Sequence, residues 1–79
     1  MAEYKVAYVS PGCNCAGLSR DDGETIDIHV PGLCGVNRAL RFDFSGEILT
    51  IKDELDSGFN VVYDLTGSSY GGYVEPISS

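Results

Sequence analysis

Positive charge is scarce in this chain of 79 residues. Five Lys and Arg stand against twelve Asp and Glu, which gives a formal net charge of −7. A chain with this balance is repelled by phosphate and by anionic lipid, so we expect no direct binding of nucleic acid or membranes. The excess of carboxylates indicates either a well-solvated surface or contact with a basic surface on a protein partner.

Several signals of catalysis and targeting are missing as well. No apolar run approaches the roughly 20 residues that a membrane helix needs, and the first residues show no signal-peptide pattern. The chain contains no Gly-Lys-Ser/Thr phosphate loop and no dinucleotide-binding glycine pattern. A core of this size is too thin for a deep substrate pocket. We therefore expect one cytoplasmic domain, residues 1–79, that is not an enzyme and needs no cofactor.

Apolar and polar residues alternate with a period of two through most of the chain, which is typical of half-buried β-strands. Ten glycines interrupt the sequence, and no apolar stripe has helical spacing. Two Pro-Gly pairs and the Ser45-Gly46 pair indicate turns. The alternating segments predict strands over residues 4–9, 25–30, 40–44, 48–51 and 59–65, with a short edge strand within 70–74.

We therefore predict an all-β fold of five or six short antiparallel strands in a meander. Strands with one apolar face are not stable alone, so the meander must form a small barrel or a minimal sandwich. At most one short helical turn is expected, in residues 36–40 or 52–56. Residues 13–23 are expected to form a loop, because they include an Asp-Asp-Gly triplet and little apolar material.

The few cysteines and the single histidine form one candidate metal site. Cys13, Cys15, His29 and Cys34 make a Cys3His set, which is a known combination of zinc ligands. Their Cys-x-Cys spacing differs from the Cys-x2-Cys pairs that mark zinc sites strongly. Two other states stay open: reduced cysteines that pack as small apolar side chains, and a disulfide between Cys34 and one of the other two. The odd number of cysteines favours a reducing compartment. A catalytic Cys–His pair lacks any supporting motif.

Two acidic runs concentrate the negative charge. Neither run has the alternating oxygen ligands of a calcium loop, so solvated loop charge is the simplest interpretation. The functional interpretation is contact with a basic groove, because carboxylates two apart on a strand lie about 6.5–7 Å apart, like successive phosphates. The denser run contains Asp53, Glu54 and Asp56. The other run contains Asp21, Asp22 and Glu24.

Tyrosines supply most of the aromatic surface. Tyr4, Tyr8 and Tyr63 fall on apolar faces of predicted strands, and we expect them in or beside the core. Tyr70 and Tyr73 lie among Ser and Gly, a composition common both in binding loops and in ordinary surface loops. We expect charge reversal in the denser acidic run to weaken partner binding more than truncation of these last two tyrosines.

Three functions from different classes follow. The first is a small acidic inhibitor that occupies a basic surface, including a nucleic-acid-binding surface, of a protein partner. Such size and charge are typical of phage and mobile-element proteins that counter host defence, including anti-CRISPR proteins, but no motif carries this association. The second is a zinc-stabilised interaction module built on the Cys3His set. The third is a structural or virion accessory protein that assembles through a sheet edge, for instance as a homodimer.

Overall fold

Seven strands and one 3-10 turn form the part of the chain, residues 3–66 and 73–78, that the computed structural model describes. The all-β prediction is confirmed. The helical turn lies at Pro11–Cys13, earlier than either predicted position. The strands are β1 (Tyr4–Ser10), β2 (Cys15–Arg20), β3 (Thr25–His29), β4 (Leu40–Ser45), β5 (Ile48–Asp53), β6 (Asp56–Asp64) and β7 (Tyr73–Val74).

The strands form two sheets, so the sandwich is the predicted alternative that is found. Sheet one has the order β1-β2-β3-β7, and sheet two has the order β4-β5-β6. Three consecutive strands of each sheet form an antiparallel meander, as predicted. The short strand β7 differs, because it pairs with β3 in parallel. The chain crosses from sheet two to sheet one between β6 and β7, so the direction of β7 is not set by a hairpin.

The core lies between the two sheets. Alternate residues of β3 and β5 and of the second half of β6 are buried, as the period of two predicts. Tyr63 is fully buried, and its hydroxyl donates a hydrogen bond to the backbone oxygen of His29 in the opposite sheet. Tyr4 is half-buried and stacks on Phe44, with 5.8 Å between ring centroids. The buried apolar cluster comprises Ala16, Leu18, Ile26, Ile28, Val30, Leu33, Leu49, Ile51, Val61, Tyr63 and Leu65.

Residues 15–20 form β2, where the sequence predicted a loop. Ala16 and Leu18 are fully buried in the core, so this short strand is held by packing that its composition does not reveal. Gly17 has a specific role on the other face, because a methyl group there would overlap the Tyr8 ring. Tyr8 is therefore not a core residue. It is 42% exposed and crosses Gly17, and its hydroxyl donates to Asp27 Oδ1 on β3.

Gly17→Ala is expected to displace the Tyr8 ring and separate its hydroxyl from Asp27. The hydrogen bond to Asp27 is the main cause that raises the pKa of Tyr8, so the variant should return that pKa toward about 10. We also expect the melting temperature to fall by roughly 4–8 °C. An NMR titration of the Tyr8 ring measures the first effect. Gly12→Ala is the matched control, because a methyl group there meets no atom within 4 Å. An unchanged Tyr8 pKa in Gly17→Ala would contradict this packing.

Candidate functional site

The two ends of the sandwich carry different chemistry. One end contains the start of β1, the β2–β3 turn and the β4–β5 turn. The other end contains the 3-10 turn, residues 30–38 and the β5–β6 turn. Backbone hydrogen bonds join the parts of each end, as between Asp21 N and Glu3 O (3.0 Å) at the first and between Glu54 N and Ala39 O (3.0 Å) at the second.

The first end gathers carboxylates from four segments of the chain. The Asp21–Glu3 backbone bond joins the β2–β3 turn to the start of β1. The Tyr4 hydroxyl donates to Glu47 Oε2 at 2.6 Å, and Leu65 N donates to the Glu47 backbone oxygen at 2.8 Å. We call this group the acidic end. Its members are Glu3, Asp21, Asp22, Glu24, Glu47 and Asp64.

Arg20 is the central cation of the acidic end. Its Nε lies 3.0 Å from Asp22 Oδ2, and its Nη2 lies 2.8 Å from Glu24 Oε2. The hydrogen bond from Arg20 is the main cause that lowers the pKa of Asp22. Glu3 and Asp21 are exposed and form no ion pair within residues 3–66 and 73–78. Carboxylates thus outnumber cations at this end, and two of them remain open to an external cation.

An open cleft of about 810 Å³ lies beside these carboxylates. The stacked pair Tyr4 and Phe44 lines it, together with two carboxylates and two cations: Glu3, Asp21, Lys5 and Arg20. An aromatic wall beside carboxylates suits the side chain of Arg or Lys, whose stem packs on rings while its charged head meets oxygens. The acidic end can therefore hold a basic side chain of another molecule.

The denser predicted acidic run is only partly at the surface, because Asp53 is buried. Its side chain is 1% exposed and lies 2.9 Å from Arg38 Nη1. It also accepts hydrogen bonds from Leu55 N (2.8 Å) and Ala39 N (3.1 Å). The bond from Leu55 is the main cause that lowers the pKa of Asp53. Asp53 organises the β5–β6 turn, so we withdraw it from the predicted binding surface.

The other members of the two predicted runs are at the surface. Asp56 Oδ2 lies 3.3 Å from Arg38 Nη1, and Glu54 is exposed at the tip of the β5–β6 turn. Asp21, Asp22 and Glu24 lie at the acidic end, as described above. Glu3, Glu47 and Asp64 join them only through strand pairing and turn contacts, for which the sequence has no local signal. Tyr73 is 53% exposed on β7, and Tyr70 lies outside the described residues.

The predicted zinc site is not formed. Cys13 and Cys15 are joined in a disulfide, and Cys34 is a free, exposed cysteine. Within residues 3–66 and 73–78, no three His, Cys, Asp or Glu side chains are grouped to hold a metal ion. A disulfide was one of the open alternatives, but the predicted pairing with Cys34 is wrong, because Cys13 pairs with Cys15. The left-handed Asn14 brings its two neighbours to a Cα–Cα distance of 5.3 Å, which is within the disulfide range.

His29 lies on the outer face of sheet one. It is the direct cross-strand neighbour of Cys15, and its Nδ1 lies 2.8 Å from Glu75 Oε1. The Tyr73 ring is 6.3 Å from the imidazole, measured between centroids. His29 therefore lies on the polar face of its strand, with Thr25 and Asp27.

No protein-family model, curated protein or solved structure matches the chain. In the part of the chain that the structure describes, no helix is long and apolar enough to cross a membrane.

Proposed function

We propose that the protein binds a basic surface of a protein partner through its acidic end. The observation that carries this proposal is the convergence of Glu3, residues 21–24, Glu47 and Asp64 at one end of the sandwich, where Glu3 and Asp21 line an aromatic cleft. Opposite charge steers such partners together and selects against acidic ones. The formal charge of −7 supplies a field of the required sign.

We propose further that the partner surface is one that binds nucleic acid. A basic groove that accommodates phosphates also accommodates carboxylates at comparable spacing. The protein would then act as an inhibitor of the type that phages and mobile elements use against host defence, working in the cytoplasm. This proposal rests on size, charge and the acidic end, and it predicts that duplex DNA or RNA competes with the protein for its partner.

Affinity capture from the native host tests the proposal. The bait is the full chain, and Asp21→Lys and Glu54→Lys are a matched pair, because each changes the net charge equally at an exposed position. Neither carboxylate forms an ion pair in the described residues. We expect wild type and Glu54→Lys to retain the same partner and Asp21→Lys to lose most of it. Equal retention by both variants would contradict binding through the acidic end.

Assembly through β1 is the second candidate. β1 is an edge strand of sheet one, and Val6, Tyr8 and Val9 on it are 40–42% exposed. An exposed apolar edge favours pairing with another strand. A register shift between Val6 and Tyr8 weakens that tendency, because such irregularities make an edge a poorer template. Light scattering at high protein concentration distinguishes the candidates: a dimer supports assembly, and a monomer supports the acidic binding protein.

A further inference from the structure

The free cysteine Cys34 lies on a segment that is hydrogen-bonded to the disulfide turn, at the end of the sandwich opposite the acidic end. Asn14 lies between the two disulfide-bonded cysteines, and its Oδ1 accepts hydrogen bonds from Leu33 N (3.1 Å) and Cys34 N (2.6 Å). The Asn14 backbone oxygen also accepts a hydrogen bond from Val30 N (2.7 Å). The segment that carries the free thiol is thus docked on the turn that carries the disulfide.

The two sulfurs of the disulfide differ in their accessibility. Cys13 is exposed, whereas Cys15 is only 8% exposed. Cys34 is exposed as well. Thiol–disulfide exchange requires that a thiolate reach one sulfur while the other departs. These exposures make Cys13 the sulfur that is attacked and Cys15 the leaving group.

The leaving group has an imidazole neighbour. Cys15 and His29 are directly opposite in the β2–β3 pair, so their Cβ atoms lie about 4.5–5.5 Å apart on one face of the sheet. Glu75 Oε1 lies 2.8 Å from His29 Nδ1 and orients the imidazole. Because Nδ1 donates to this carboxylate, Nε2 is an acceptor, to which the released Cys15 thiol can donate a hydrogen bond.

We propose that Cys13, Cys15 and Cys34 form a thiol–disulfide exchange site that accepts small or protein thiols. An external thiolate attacks Cys13 Sγ, the Cys13–Cys15 bond breaks, and Cys15 leaves as a thiolate that takes a proton from solvent. The Cys34 thiolate then attacks Cys13 Sγ and releases the external thiol. One disulfide is exchanged for another, and the proton lost by Cys34 balances the one gained by Cys15, so no oxidant is consumed.

The exchange site is independent of the acidic end. In the cytoplasm, the location we propose, disulfides are usually transient and either catalytic or redox-sensing. A disulfide with a third cysteine docked beside it fits that use better than a fixed structural link does.

Peptide mapping of the full chain tests the proposal. Trypsin cleaves after Lys5, Arg20 and Arg38, so Cys13 and Cys15 fall in peptide 6–20 and Cys34 in peptide 21–38. The resting disulfide leaves these peptides separate, and exchange joins them. The protein is incubated with a substoichiometric amount of reduced glutathione, quenched with acid and alkylated. At a fixed glutathione concentration, we expect the joined fraction to grow at a rate that is independent of protein concentration. This rate should rise with pH by about tenfold per unit below the pKa of the attacking glutathione thiol.

Matched variants assign the roles. Cys34→Ser should abolish the joined pair. Asn14→Gly keeps the left-handed backbone but removes the acceptor, so it should slow joining several-fold, whereas Asn14→Asp keeps an acceptor and should not. His29→Gln should slow joining without changing the melting temperature. The proposal is overturned if wild type yields no joined pair, if all three thiols are alkylated before glutathione is added, or if these variants join at the wild-type rate.

Discussion

Substitution of Asp53 by alanine is expected to lower the melting temperature by about 10–20 °C. The substitution removes the buried carboxylate that faces Arg38, whose own side chain is only 12% exposed. It also leaves the N–H groups of Ala39 and Leu55 without their acceptor. Unpaired buried groups of this kind carry the largest costs among substitutions of charged residues. Thermal unfolding followed by circular dichroism measures the effect.

The neighbouring Glu54 supplies the control for Asp53. Glu54 is exposed at the same turn, so Glu54→Ala should leave the melting temperature within a few degrees of wild type. Equal effects of the two substitutions would show that Asp53 does not organise the turn.

Acid should destabilise the protein by protonating the carboxylate of Asp53. The pKa of Asp53 is lowered in the folded state, chiefly by the hydrogen bond from Leu55 N. Because the pKa of Asp53 is lower in the folded than in the unfolded state, its ionised carboxylate stabilises the protein at pH values above the unfolded pKa of about 3.9. This contribution is lost as the pH falls from there through the folded pKa. The melting temperature of wild type should therefore fall between about pH 4 and pH 2. Asp53→Ala should show a smaller fall over that interval, and parallel curves would contradict the assignment.

Tyr63→Ala is expected to reduce the free energy of unfolding by about 3–5 kcal/mol, which is a large part of the stability of a small domain. Tyr63 is a large, fully buried side chain at the centre of the apolar cluster, and truncation leaves a cavity between the sheets. Chemical denaturation measures the change. Tyr73→Ala is the control, because that ring is 53% exposed, and its effect should be below about 1 kcal/mol.

A second variant separates the hydroxyl of Tyr63 from its ring. Tyr63→Phe preserves the packing but removes the donor to the His29 backbone oxygen in the other sheet. We expect a loss of about 1–2 kcal/mol. A loss as large as that of Tyr63→Ala would mean that the hydroxyl, rather than the buried ring, dominates the contribution of Tyr63.

The sequence predicted those strands in which apolar and polar residues alternate because only one face packs on the core, as in β3 and β5. It missed β2, because Ala16 and Gly17 carry little strand preference by themselves and only the packing of the other strands reveals their role. The direction of β7 could not be predicted either, since no hairpin connects it to β3.

The candidate site was predictable only in part. Asp21, Asp22 and Glu24 lie within four consecutive residues, and all three are at the surface of the acidic end. Asp53 had the same appearance in the sequence, but its carboxylate satisfies backbone N–H groups and Arg38 inside the turn. Composition cannot distinguish a carboxylate that is solvated at the surface from one that accepts hydrogen bonds from backbone N–H groups in place of water. That difference depends on the fold.

The dependence of the partner's affinity on charge position and on salt is the most direct test of binding through the acidic end. The dissociation constant of the captured partner is measured by calorimetry at low and high NaCl for wild type, Asp21→Lys and Glu54→Lys. We predict that salt weakens wild-type binding by about tenfold or more, and that Asp21→Lys weakens it far more than Glu54→Lys does. Equal dissociation constants for the two variants, or a wild-type affinity that salt does not change, would contradict binding through the acidic end.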